Sequence, residues 1–434
     1  MTLGVTRKLA KMAAWSDLPE TALAVMRLSI FDWVAVARAG VDEDVSRIVR
    51  TMALQEEGKA EASIFGNASK VPARVAALVN GTTSHALDYD DTHFAHIGHP
   101  SVAVVSAAAA IAERVGASGQ AFLEAALLGC EASCRIGVWL GRSHYQAGFH
   151  QTATAGTFGA TIACARLLGL DEEQTCHALG LAATKASGLK SQFGTMGKPY
   201  HAGMAASNGV EVALLALQGF VSRVDGIEAA QGFGDTHVGA KNDTDFESRI
   251  FLFEDVSHKF HACCHGIHAS LEALSDVNAE GQFDVQAIET VTLKVHPRWL
   301  TVCNIEKPET GLEAKFSYKI AAAACLSGYD TGALETYSDG LCNNPDLIVL
   351  RDRVEVTTDE AIGEAAAEVA VEAGGQAFLS SHDLTTPMSF DNRRQKIIAK
   401  GAALLGAQQA DDLDAAINHL AQSNTAFTLK ALAD

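Results

Sequence analysis

Apolar and small residues recur every three to four positions through most of residues 1–255, and that spacing predicts helix after helix. Asp17-Leu18-Pro19-Glu20 reads as a capping-box-like start, and Gly40 closes the helix that follows. Ser101 opens another helix, residues 121–138 form a third, and residues 152–167 a fourth. On the fourth, Ala155, Gly156, Gly159 and Ala160 are small enough to let a neighbouring helix come close. Residues 171–186 and 203–217 continue the pattern. No repeat at a period of roughly 20–50 residues is visible, which argues against a solenoid.

The texture changes near residue 260. Residues 268–274 read as the end of a helix. In residues 289–296, Val291, Leu293 and Val295 alternate with Thr290, Thr292 and Lys294, the signature of a half-buried strand. Residues 314–328 predict an alanine-rich helix, 353–357 a short strand and 364–373 a second alternating segment. From about Phe390 the pattern is helical again, over 393–405 and 411–420. The expected architecture is mainly α: a large all-helical domain built from both chain ends (1–262 and 391–434), with an inserted α+β lid of antiparallel strands at 263–390. A binding cleft is expected between the two.

Composition narrows the function. A chain of 434 residues suggests two domains, and 48% hydrophobic with 20% charged residues is ordinary for a globular protein. The net charge of −19 makes nucleic acid and anionic membranes poor partners, so an anionic substrate would need a local positive pocket. The nine cysteines show neither zinc nor iron–sulfur spacing. The first twelve residues lack the apolar segment of a signal peptide, and the apolar run 102–112 is too short to span a membrane. These features predict a reduced, cytoplasmic protein.

The candidate chemistry lies at three helix starts: His99-Pro100-Ser101, His150-Gln151-Thr152 and Lys198-Pro199-Tyr200-His201. Helix N-termini offer unpaired N–H groups and partial positive charge, so each is a ready anion site. Pro suits the first turn and Ser or Thr the cap. Three such ends converging would bind a carboxylate and move protons on it. Just upstream of the first start, Asp88, Asp90, Asp91, His93 and His96 join His99 within twelve residues, more than a solvated helix cap requires. Asp and His are also transition-metal ligands, but no HxxxH or HExxH spacing supports that reading here. Tyr145 could donate a proton or act as a base. Lys198 sits in a Gly-Lys-Pro turn, where partial burial would move its pKa toward the range of a base. At the texture change, His258–His268 carries two adjacent cysteines and Lys259, a candidate carboxylate contact at a cleft-lining hinge.

These segments resemble the MmgE/PrpD family, whose members include 2-methylcitrate dehydratase, cis-aconitate decarboxylase and iminodisuccinate epimerase. The likeness rests on HALDYDDTH…GHPS at 85–101, HYQAGFHQTATAGTFGA at 144–160, FGTMGKPYHAGMAASNG at 193–209, HKFHACCHGIHA at 258–269 and EAKFS at 313–317. It implies a helical domain with a chorismate mutase-like lid, a homodimer, and no organic cofactor or metal. It places active-site positions on Asp88, Thr92, His99, His150, Lys198 and Lys259. The decarboxylase-like members end an FSxxY element in Tyr, where this chain has Ile320, with Tyr318 two residues earlier. Many members also have a basic residue where this chain has Ser207.

The expected function is a cofactor-independent lyase, a dehydratase of a small hydroxylated di- or tricarboxylate. The expected catalytic residues are His99, His150, Lys198, Asp88 and Tyr145. Thr92, Lys259, Asp91 and His201 are expected to bind the substrate. An epimerase using Tyr145 and Lys198 on opposite faces of one carbon is the rival, with a decarboxylase of the same family beside it. A metal-dependent hydrolase and a non-catalytic metabolite-binding protein rank below them.

Overall fold

The computed structural model describes residues 4–281, 283–420 and 425–433. The chain forms two compact units, one holding residues up to His258 and from Leu405 onward, the other Lys259–Leu404. The fold is mainly α with small sheets.

The first unit contains α1 (Val5–Met12), α2 (Glu20–Ala39), α3 (Asp44–Gln55), a hairpin of β1 (Ala62–Ile64) and β2 (Asn67–Val71), α4 (Ala73–Ser84) and α5 (Pro100–Val115). It continues with α6 (Gly119–Gln146), α7 (Gln151–Leu168), α8 (Glu172–Lys185), α9 (Gly197–Leu217) and the short α10 (Phe233–Thr236). Every residue of α7 from Gln151 to Ala165 is buried, as befits a helix that is apolar or small all round. It packs against α5, α6 and α9. Glycine makes two of the crossings. A Cβ on Gly129 of α6 would stand 2.7 Å from the Gly159 carbonyl of α7, and one on Gly81 of α4 would stand 2.8 Å from Cα of Gly203 of α9. The second crossing brings the C-terminal end of α4, capped by His85, beside the first turns of α9.

A buried ion pair then fixes the loop that frames the site. Arg135 Nε donates to Glu131 at 2.5 Å, both side chains lying within α6. Their remaining polar atoms turn to the segment 245–253: Arg135 donates to the carbonyls of Ser248 (2.9 Å) and Ile250 (3.1 Å), while Glu131 accepts from the N–H groups of Leu252 and Phe253 at 3.1 and 2.9 Å. A buried pair persists only when its other hydrogen-bonding capacity is met in this way. The segment it holds runs on to Ser257, which exchanges backbone hydrogen bonds of 2.8 and 2.7 Å with Thr92.

The capping box expected at residues 17–20 does not form. Pro19 precedes α2 with no side-chain cap, whereas Asp171 and Gln174 form a complete capping box at α8. Among the described residues no helix is long and apolar enough to cross a membrane.

The second unit carries α11 (His265–Glu280), β3 (Ile288–Val295), α12 (Gly311–Ala314), α13 (Tyr318–Leu326), β4 (Val354–Thr358), β5 (Ala366–Ala373) and β6 (Gln376–Asp383). Its sheet has the order β4-β3-β5-β6. β5 pairs antiparallel with β3 and β6, but β3 and β4 are parallel, so the all-antiparallel expectation fails for one pair. The cause is the connection: the chain returns from β3 to β4 through helices, which is how parallel neighbours are joined. The single helix expected over 314–328 is broken, because Thr310 with Glu313 caps α12 and Ser317 caps α13 separately. α11 packs on β5 and β6.

Candidate active site

The three helix starts meet within the first unit. His99 is the N-cap residue of α5 and His150 that of α7. The His99 N–H donates to Thr152 Oγ1 at 3.0 Å, which ties the two ends together. α9 begins at Gly197, so Lys198 and His201 lie in its opening turns. The expected Ser and Thr caps do not form, because Ser101 and Thr152 lie inside their helices and face other partners.

His85, Asp88, Asp90 and His99 draw together at this junction. Asp90, almost fully buried, stands between two imidazoles: His85 Nδ1 is 2.8 Å from its Oδ1 and His99 Nδ1 is 3.0 Å from its Oδ2. Burial alone would raise the Asp90 pKa, but attraction to His85 and His99 outweighs it and holds the carboxyl well below 3.8. Asp88 takes the other side of His99, with Oδ1 3.3 Å from Nε2, and receives Lys198 Nζ at 2.5 Å. The Asp88 side chain is 43% exposed and that of Lys198 15%, so this pair forms the mouth over a buried floor of His85, Asp90 and His99. Asp88 has φ +51°, a left-handed backbone that asparagine and aspartate tolerate better than most residues.

His150 lies beside this floor. Its ring stacks near that of His85, with centroids 6.2 Å apart at 20°. Phe193 meets it edge-on at 4.9 Å, and its Nδ1 is 3.1 Å from Nδ1 of His201. Burial pushes the His150 pKa well below 6.5, and the charges of Lys198, His85, His99 and His201 push the same way. His150 is therefore a neutral imidazole at neutral pH.

The remaining sequence candidates are placed as follows. Asp91 turns inward: its Oδ2 is 2.5 Å from Ser101 Oγ and its Oδ1 accepts from the Ser101 N–H at 3.4 Å, so it caps α5 from outside the helix. Burial raises its pKa to about 7, with the charges of Asp32 and Asp90 adding to the effect and the Ser101 hydrogen bond opposing it. Thr92 joins Ser257 through its backbone, and its hydroxyl donates to the Ser257 carbonyl at 3.3 Å. Tyr145 stands against Lys190, whose Nζ is 3.7 Å from the phenol ring centroid. Lys259 is the first residue of the second unit and is buried. Ser207 is buried on α9 and Ile320 on α13, while the Tyr318 hydroxyl donates to the Gly266 carbonyl at 2.7 Å. Of the other histidines in the 88–99 stretch, His93 Nε2 bonds the Leu252 carbonyl at 2.8 Å, and His96 is fully buried.

One member of the cluster, His85, was not singled out from the sequence, and Asp90 was named only within the acidic run, with no role of its own. His85 precedes the acidic run by three residues, and only the turn that ends α4 folds it back onto Asp90. His85, Asp88, Asp90 and His99 could also hold a metal ion, since each offers a donor atom within 4.8 Å of the others. Against that use, the Lys198 ammonium already balances Asp88.

Comparison with known proteins gives one family. The MmgE/PrpD N-terminal domain model matches residues 7–245 and the MmgE/PrpD C-terminal domain model residues 261–421. The chain is 25% identical over 350 residues to the cis-aconitate decarboxylase of Mus musculus, which covers 75% of this chain and 70% of that protein. It is 28% identical over 302 residues to the cis-aconitate decarboxylase of Aspergillus terreus, with 64% and 61% covered. It is 29% identical over 211 residues to that of Homo sapiens, with 47% and 44% covered.

Proposed function

The chain belongs to the MmgE/PrpD family, and we propose that it is a lyase, a dehydratase that removes a proton beside a carboxylate of a small hydroxylated polycarboxylate and expels the neighbouring hydroxyl. One observation carries this reading: two imidazoles at one junction of helix ends sit in opposite electrostatic settings. His150 is buried among positive neighbours and is neutral, which suits a base. His99 lies between the carboxylates of Asp88 and Asp90, 3.3 and 3.0 Å away, a setting that suits an acid. Environments that separate the behaviour of two like groups assign acid and base.

In the proposed reaction a substrate carboxylate enters at Asp88 and Lys198 and takes the ammonium as its counter-ion. The partial positive charge at the starts of α5, α7 and α9, together with the Lys198 ammonium, lowers the energy of the enolate that forms when His150 takes the α-proton. His99 then protonates the departing hydroxyl, with Asp90 and behind it His85 keeping its ring in place. Each positioned acid or base is worth about a hundred- to ten-thousand-fold in rate. No step in this scheme uses a metal or an organic cofactor. Asp91, Thr92 and Tyr145 have no direct role in it.

Decarboxylation is the second reading, favoured by the names of the relatives, which are cis-aconitate decarboxylases. The buried Ile320 and the hydroxyl of Tyr318, bound to Gly266, weigh against it, since decarboxylase-like members end the FSxxY element in Tyr. Proton NMR with 2-methylcitrate, citrate, cis-aconitate, iminodisuccinate and related hydroxy acids separates the readings. A vinylic product formed from a hydroxy acid supports the dehydratase. Carbon dioxide release from an unsaturated acid replaces it with the decarboxylase, and deuteration without elimination replaces it with an epimerase.

A further inference from the structure

The geometry points to His201 as the residue that sets the tautomer of His150, and so decides whether His150 can act as a base. This rests on the proposal that His150 takes the substrate proton. His150 Nδ1 and His201 Nδ1 are 3.1 Å apart, with ring centroids 5.3 Å apart and planes inclined at 51°. Two imidazole Nδ1 atoms can share a hydrogen bond only if one carries a proton and the other does not. Both rings are buried, at 2% and 6% exposure, and burial lowers both pKa values, so the pair rests as two neutral imidazoles.

Two arrangements satisfy that bond. In the first, His150 donates from Nδ1–H to His201, which leaves a lone pair on His150 Nε2 and the His201 proton on its Nε2. In the second, His201 donates, and His150 carries its proton on Nε2 with no lone pair for the substrate. Only the first gives a base at His150 Nε2. When Nε2 then takes the α-proton, the imidazolium keeps its Nδ1–H bond to His201, which steadies the charge without moving a second proton. His201 is thus a positioning residue that acts through His150.

The backbone enforces the pairing. The His150 N–H donates to the Gly188 carbonyl at 3.0 Å, and Gly188 has φ +142°. A Cβ at Gly188 would stand 2.7 Å from Ala153 Cβ and 3.5 Å from the His201 ring, so this close approach of segment 188 to α7 and α9 holds both rings in register.

Nitrogen-15 NMR of selectively labelled histidine in the resting protein tests the assignment, with signals assigned from the H150N and H201N variants. The expected result is an Nδ1–H tautomer for His150 and an Nε2–H tautomer for His201. H201N offers an amide oxygen as acceptor and should keep the His150 tautomer and activity within about tenfold of wild type. H201L removes the acceptor and should convert His150 to the Nε2–H form, with kcat falling by about 10²- to 10⁴-fold, the range seen when a catalytic histidine is held in the wrong tautomer or lost. An Nε2–H tautomer at His150 in the wild type, or no tautomer change in H201L, overturns the inference. If the tautomers behave as stated but H150N turns over normally, the role of His150 as base fails while the assignment of His201 as tautomer setter stands.

Discussion

Asparagine in place of Asp91 removes a proton-binding group whose pKa in the folded chain is about 7, against an ordinary value of 3.8. Between those two values the folded chain holds a proton that the unfolded chain has released. Stability therefore falls as pH rises, and the contribution of Asp91 is complete below pH 3.8 and gone above about 7. At 1.36 kcal/mol per pH unit, the whole span amounts to about 4 kcal/mol, and the practical interval from pH 5 to 7, at whose upper end the group is half ionised, to about 2 kcal/mol. D91N cannot titrate, and every other group is common to both proteins. The wild type should therefore lose about 2 kcal/mol relative to D91N over that interval, a relative Tm shift of roughly 4–8 °C. Scanning calorimetry of both proteins at pH 5 and pH 7 reads it directly. A Tm difference that is equal at the two pH values would refute the argument and mean that Asp91 is ionised in the folded chain throughout. The experiment also separates Asp91 from its neighbours, because the burial that hides it from substrate produces the titration.

Other consequences follow from the same geometry. K198M should raise KM for a polycarboxylate more than it lowers kcat, measured by steady-state kinetics, because Lys198 is proposed as a counter-ion; an equal fall in kcat with unchanged KM would make it a proton carrier. The limb of the kcat/KM profile that reports deprotonation of His150 should lie below pH 6.5, since burial and cationic neighbours lower that pKa, and activity should be flat from there through neutrality. G203V should destabilise the first unit by about 1–3 kcal/mol in denaturant melts, because a side chain at Gly203 would collide with the backbone of α4 at Leu78. Prolonged dialysis against a chelator should leave turnover intact; loss restored by a divalent metal would assign His85, Asp88, Asp90 and His99 to a metal instead.

The sequence was most readable where local chemistry decides the structure. The small residues of α7 and the glycine after α2 follow from helix packing and capping, and the three helix starts were recognisable because each pairs an imidazole or lysine with N-terminal residue preferences. β3 and β5 were visible because one face is buried and alternation survives, whereas β6 is largely exposed and shows none. The hairpin at 62–71 was hidden for a similar reason: four of the five residues of β2 are exposed. Within the site, the individual duties of the acidic run could not be read. Asp88, Asp90 and Asp91 are equivalent by composition, yet one faces Lys198, one lies between two histidines and one caps a helix. Those differences come from a left-handed turn at Asp88 and from Ser101, a long-range partner that local spacing does not announce. His85 and the His150–His201 contact depend on the α4–α9 crossing and so on glycines distant in sequence.

The central claim is that His150 takes the α-proton and His99 assists the departing group, and one measurement tests it most directly. Each of H150N and H99N is incubated with the turned-over hydroxy acid in deuterated buffer, and α-deuteration and elimination are followed together by NMR. H150N should lose both, while H99N should continue to exchange the α-proton but eliminate slowly. Undiminished α-exchange in H150N, or loss of exchange in H99N alone, would contradict it.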